Sequence, residues 1–303
     1  MNDNDNPNTP EISEEANTTT ASPVIHQASH FKKLPSLESF KRGEPERVVM
    51  TQKPKVAITW LHTNEFQGPT VAHELYGNYP EIAASVNYIC GNPHTARHDP
   101  DKGFTHTDLN RSFSPEQLQN PRTYEEERAV EVTNFVKNAE YILDLHNTVC
   151  TNFGKAAIID ERLFDHPTTR KMLAASPLKR ILLMPTSVAR LCLNGDPTGR
   201  AITFEYENDM TESEAVPDMI QLIEALVTGE VSQQPFEREV FHVYKPIPKS
   251  EDPGLETKNF EPFIGADGKE HYAAFLGTGP RSYREDSTKD YCGFYATMER
   301  VIL

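Results

Sequence analysis

Between Lys55 and about Val231 the chain alternates short apolar runs with amphipathic stretches, and that alternation restricts it to one class of architecture. KVAITWL, SVNYICGNP, YILDLHNT, AAIID, RILLMPTS and AITFEYE read as buried strands. PTVAHELYGNYPEIAAS, TYEEERAVEVTNFVKNA, HPTTRKMLAAS and VPDMIQLIEALVTGE read as helical segments between or after them. The second of these is the clearest. Thr123 and Glu126 make a capping box, and Ala129, Val132, Phe135 and Val136 share one face. Strands separated by helices predict an α/β domain with a largely parallel or mixed sheet.

The flanks differ. Residues 1–22 are rich in Asn, Asp, Thr and Glu, with almost nothing apolar to offset the entropy of ordering. We therefore expect 1–50 to be a disordered or partly ordered tail, 51–231 the α/β domain, and 232–303 a smaller, mostly β C-terminal domain rich in Pro, Gly and charge. There is no internal repeat. The formal charge of −15 argues against nucleic acid as a partner and would repel an acidic small molecule unless arginines gather locally. No apolar stretch reaches a membrane span, and no basic start precedes an apolar run at the N-terminus. Cys90, Cys150, Cys192 and Cys292 are widely spaced, as in a reduced cytoplasmic protein.

The strand ends hold the chemistry. KVAITWL is followed at once by His62, with Glu65 three residues on, and open α/β sheets bind ligands at such carboxyl ends. Another apolar strand ends in Asp144-Leu145-His146, which would bring a metal its third protein ligand and leave one position open. Asp144 is two residues earlier on the same strand face, placed to support that histidine. In Asp108-Leu109-Asn110-Arg111 an amide and a guanidinium are adjacent, a pair suited to a carboxylate. AITFEYE carries Glu205 and Glu207 within a buried strand, where a carboxylate needs a reason. Either of the two, beside a metal, would serve as a base.

In this order HxxE, DLNR, DLHNT and a late strand glutamate resemble the aspartoacylase and succinylglutamate desuccinylase family, relatives of the zinc carboxypeptidases. The resemblance runs from about Lys55 to Tyr244, and NTVCTNFG, HVYKPI and Asn92-Pro93 favour the aspartoacylase branch. It implies a zinc-carboxypeptidase-like mixed sheet flanked by helices. It implies one zinc on His62, Glu65 and His146, Glu205 as the catalytic base, and Asn110 and Arg111 on the substrate carboxylate. The implied reaction is hydrolysis of an N-acyl acidic amino acid, N-acetyl-aspartate first. The sequence also departs from the family. An arginine expected five residues before Asp108 is Gly103, with Lys102 beside it and Arg97 further back. An arginine expected about ten residues before Glu205 is Gly195, flanked by Arg190, the preferred substitute, and Arg200. The C-terminal tyrosine that closes over substrate is assigned to Tyr295, with Tyr291 as the alternative. Desuccinylation, peptide trimming and a non-catalytic carboxylate-binding metalloprotein are the competing readings. Neither nucleic acid nor membrane is an expected partner, and self-association is left open.

Overall fold

The computed structural model describes residues 34–185, 198–208, 210, 212–230, 235–277, 283 and 287–303. The α/β core begins with β2 (Val56–Trp60), α2 (Gln67–Asn78), α3 (Pro80–Ala83) and β3 (Val86–Cys90). Short helices α4 (Pro93–His98) and α5 (Pro115–Gln119) lead to α6 (Tyr124–Val136), which opens on the Thr123/Glu126 capping box. Then follow β4 (Tyr141–Thr148), β5 (Lys155–Asp160), α7 (Pro167–Ala175), β6 (Arg180–Met184), β7 (Ala201–Glu207) and α8 (Glu212–Thr228). The C-terminal part holds β8 (Glu237–Pro248), β9 (Pro262–Ile264), β10 (Glu270–Ala274) and β11 (Tyr291–Ile302).

The stretch just before this core is better ordered than its mixed composition predicts. Residues 34–50 carry α1 (Leu37–Lys41) and β1 (Arg47–Val48), the latter paired with β3. Phe40 anchors them, fully buried with its ring 5.7 Å from those of both His73 and Tyr88. Residues 1–33, expected to form the tail, lie outside the described residues.

The eleven strands among the described residues form one sheet, in the order β1-β3-β2-β4-β7-β5-β6-β8-β11-β10-β9. It is mixed. β3, β2, β4 and β7 run parallel, and β5 pairs antiparallel with β7. β7 comes late in the chain yet lies against β4, which puts Glu205 beside His146 in register. The chain leaves β2 towards β3 on one side and leaves β4 towards the other, so the ends of β2 and β4 flank a switch point. β8 pairs parallel with β6, and β11, β10 and β9 follow antiparallel, so the C-terminal strands extend the same sheet.

Strand alternation sorts the core into two faces. Val56, Ile58, Trp60, Leu143, Leu145, Ile202, Phe204 and Tyr206 pack in one cluster with residues of α2, α7 and α8. Ala57, Ile142 and Ala201 face the other way, under Ala129, Val132 and Val136 of α6. Farther along that second face, Ala156, Ile158, Leu182 and Phe241 pack against Phe260, Ala274 and Phe294 of the C-terminal part. Asp144, His146 and Glu205 share the parity of Ile142 and Ala201, and so project between these two clusters.

Candidate metal centre

The turn after β2 is fixed by its own backbone and by the one tryptophan of the chain. Glu65 N–H donates to the His62 carbonyl at 3.1 Å, and the Trp60 indole N–H donates to the Glu65 carbonyl at 2.7 Å. The carboxylate of Glu65 is thereby aimed back at the strand end. Its Oε1 is 2.8 Å from His62 Nδ1, and its Oε2 is 2.9 Å from His146 Nδ1. One ligand atom from each residue falls within 4.8 Å of the others. Tetrahedral zinc, with bonds of about 2.0–2.1 Å, sets its ligand atoms about 3.3 Å apart.

The outer nitrogens of both rings are engaged by carboxylates. His62 Nε2 is 2.8 Å from Asp108 Oδ1, and His146 Nε2 is 3.1 Å from Asp144 Oδ2. Asp144 is wholly buried and pinned by the hydroxyls of Thr59, at 2.7 Å, and Thr203, at 3.2 Å. Carboxylates behind imidazoles fix the tautomer and leave Nδ1 as the free donor atom, the arrangement that metal-binding histidines use. Asp108 is a site residue the sequence reading quoted without giving it this role; its place in DLNR was the available signal.

The charges fit a divalent cation. Burial opposes charging His62, yet Glu65 and Asp108 outweigh it and push the ring up to about 10. Burial likewise opposes charge on His146, and Asp144 and Glu65 raise it well above the ordinary value. Burial pushes Glu205 up to about 8, with Glu65 and Asp144 adding to the rise and the histidines opposing it. Four carboxyl groups thus surround two imidazoles, and Glu65 Oε2, though close to His146, has no hydrogen-bond partner. A buried carboxylate oxygen left without a donor suits a metal ligand, and the residues fit the ion.

Two of the remaining candidates, Asn110 and Arg111, lie beside this cluster, and others do not. Asn110 is buried, its Nδ2 3.5 Å from His146 Nε2 and its Oδ1 without a partner. Arg111 follows it, with 44 % of its side chain exposed and Nε 3.9 Å from Asp108 Oδ2. Glu207 is committed elsewhere. Its two oxygens accept the backbone N–H groups of Asn152 and Gly154, each at 2.7 Å, and both donors have positive φ. That use of Glu207 leaves Glu205 as the strand carboxylate facing the cluster.

Tyr295, expected near the substrate, is one that lies elsewhere. β11 alternation sends Phe294 and Ala296 into the cluster on the site's face and turns Tyr295 to the opposite one. There it is buried against Phe263 and His271, its hydroxyl donating to Glu251 at 2.9 Å. Tyr283 lies on the site's face, its ring 5.6 Å from that of Phe294; burial pushes its hydroxyl up, Arg111 draws it down, and Glu205 adds to the rise. Tyr283 sits in a charged, proline- and glycine-rich stretch without periodicity, so the sequence carried no signal for it. Arg190 lies outside the described residues. Of the other arginine and lysine candidates, Arg200 precedes β7 and donates to the carbonyls of Lys137 and Ala139. Five residues of strand put it about 16 Å from Glu205. Arg97 donates to the Gly43 carbonyl, and Lys102 pairs with Asp99.

Residues 52–178 match the family described as the succinylglutamate desuccinylase/aspartoacylase catalytic domain. The fold is similar to that of murine aminoacylase 3, with a TM-score of 0.59 and 18% identity over 83% of this chain and 97% of that one. It is similar also to succinylglutamate desuccinylase from Chromobacterium violaceum, with a TM-score of 0.61 and 16% identity over 83% and 86% of the two chains. A product-bound ectoine utilization protein, EutE, from Ruegeria pomeroyi gives a TM-score of 0.50 and 14% identity, covering 82% and 81%. At these identities the likeness is one of fold. No curated protein matches the sequence.

Proposed function

From the succinylglutamate desuccinylase/aspartoacylase catalytic-domain match over residues 52–178, we propose that this chain is a zinc hydrolase of N-acyl acidic amino acids, with N-acetyl-aspartate the first candidate substrate. The observation that carries the proposal is the Glu65 carboxylate spanning the Nδ1 atoms of His62 and His146 while Asp108 and Asp144 occupy both Nε2 atoms.

Zinc on His62, Glu65 and His146 would supply Lewis-acid polarisation of the scissile carbonyl and make water acidic enough to attack near neutral pH. Glu205 takes one proton from the attacking water as its oxygen bonds to the acyl carbon. The same carboxyl then protonates the departing nitrogen as the C–N bond breaks, giving a free amine and a carboxylic acid. Burial strengthens this carboxyl's hold on a proton, and zinc beside it would weaken that hold, so the ionised form could take the proton and then return it. Arg111 and Asn110 grip a substrate carboxylate, the guanidinium through two parallel hydrogen bonds and the amide through its Nδ2. The guanidinium gives the local positive charge that an acidic chain needs in order to draw in an anion. Tyr283 stands beside them as a phenol donor, and Arg190 remains our candidate for a second carboxylate. We take 51–231 as the catalytic unit and 232–303 as the β-rich part that supplies Tyr283.

The test has three arms. Metal analysis should find one zinc per chain, and His146→Ala should lose it. Zinc-loaded protein should release aspartate and acetate from N-acetyl-aspartate faster than it cleaves N-succinyl-glutamate or a C-terminal peptide bond. Glu205→Gln should cut kcat by at least a hundredfold with zinc retained. No turnover of any N-acyl aspartate or glutamate by zinc-loaded protein would discard the substrate claim.

A further inference from the structure

The loop that precedes Asp108 is held by a buried carboxylate on a different element. Glu125, in the first turn of α6, is completely buried. Its Oε1 accepts the backbone N–H of Thr105 at 2.6 Å and of His106 at 3.2 Å, and its Oε2 accepts those of His106 at 3.3 Å and Thr107 at 3.4 Å. Three successive amides of one loop therefore converge on one side chain. His106 Nδ1 is 3.5 Å from Oε2 as well, its own side chain 61% exposed.

Helix capping does not require this carboxylate. The start of α6 is closed by Thr123 and Glu126, whose side chains serve each other's backbone N–H groups. Glu126 also takes the Arg122 N–H. Glu125 instead reaches out of its helix. An ionised carboxylate is expensive to bury unless donors surround it, and here the donors are all backbone groups of a segment without regular structure. Such a contact fixes the path of the loop rather than that of the helix.

What the loop leads to is the site. Thr107 is followed by Asp108, whose Oδ1 accepts the Asn110 N–H at 2.8 Å and contacts His62 Nε2. That turn delivers Asn110 towards His146, with Arg111 next to it and 3.9 Å from Asp108. We propose that Glu125 is a positioning residue: through the amides of residues 105–107 it sets Asp108, and through Asp108 the ring of His62, together with the carboxylate-binding pair Asn110 and Arg111. The role rests on the proposed zinc hydrolase reading, and it concerns residues that themselves touch neither ion nor substrate.

The experiment compares Glu125→Gln with Leu222→Ala, a cavity in α8 within the apolar cluster on the other face of the sheet. Zinc affinity is measured by chelator competition and amide exchange over residues 104–112 by mass spectrometry. Glu125→Gln puts an amide NH₂ where a backbone N–H must be accepted. Zinc Kd should rise about tenfold, as for other losses of support behind metal ligands, and exchange across the loop should quicken by tenfold or more. KM for the N-acyl substrate should rise more than kcat falls. Leu222→Ala should lower Tm and change none of these, and Glu125→Asp should fall between the parent and Glu125→Gln. If Glu125→Gln does not fold, Glu125→Asp against Leu222→Ala decides the matter. Zinc Kd within twofold of the parent with unchanged exchange would overturn the inference, as would an equal response to Leu222→Ala. The zinc and exchange readouts need no turnover, so a protein inert towards every substrate would sink the proposed reaction and still decide the role of Glu125.

Discussion

Replacing Asp144 by Asn leaves shape almost unchanged and removes one charge from behind His146. The carboxylate has no solvent exposure, accepts hydroxyls from Thr59 and Thr203, and meets His146 Nε2 at 3.1 Å. The Thr59 hydroxyl, which meets Oδ1, can still donate to the amide oxygen, and the Thr203 hydroxyl, which meets Oδ2, turns to accept from the NH₂. The NH₂ group is then left facing His146, where it cannot accept the ring N–H. A hydrogen bond to a charged group contributes about 1.5–3 kcal/mol. At about 1.36 kcal/mol per decade, that loss lowers zinc affinity roughly ten- to a hundredfold. The same range is found when carboxylates behind metal-bound histidines are removed. Competition with a fluorescent chelator at pH 7.5 measures the ratio, and far-UV circular dichroism controls for folding. A folded Asp144→Asn protein that binds zinc within twofold of the parent would show that the carboxylate does not support His146 in the way its position suggests.

Three other expectations follow from the same structure. Glu65 and the two aspartates hold His62 and His146 protonated before zinc arrives, so uptake should release protons and zinc affinity should climb with pH between 6 and 8. Calorimetry in two buffers of different ionisation enthalpy reads the proton count, and a value of zero would contradict the assigned charges. Tyr283→Phe should raise KM severalfold, whereas Tyr295→Phe should leave both kinetic constants in place and lower Tm by a few degrees through loss of the Glu251 contact. Kinetics of the pair separate the two, and equal effects would refute the placement. Leu143→Ala, at a fully buried position of β4, should cost about 2–5 kcal/mol in urea unfolding, and a loss under 1 kcal/mol would mean the central strand is not the core.

Much of this was readable from local pattern. Period-two and apolar-run signals located β2, β3, β4 and β7 closely, because their side chains have no choice but to be buried. Polar residues in such runs therefore stood out, and His62, Glu65, His146 and Glu205 were singled out for that reason. What escaped depended on distance in the chain. Nothing local says that β7 inserts beside β4, or that β5 runs antiparallel to it, since pairing is settled by partners dozens of residues away. Glu205 and Glu207 were indistinguishable by parity, and only the turn at Asn152–Gly154 separates them. Phe40 is one aromatic in a polar stretch, and its value as an anchor lies in His73 and Tyr88. Tyr283 had no pattern around it to read.

The parallel pairing of β6 with β8 has a practical consequence for anyone dissecting this molecule. Cutting the chain at residue 231 would strip the partner from β6, whose Ile181, Leu182, Leu183 and Met184 are all buried. A row of unpaired amides beside four greasy side chains is a template for sticking to another copy. The excised front half should come out of cells as inclusion bodies rather than as a small soluble enzyme. The opposite margin of the sheet offers less to pair with, since β1 contributes two residues only.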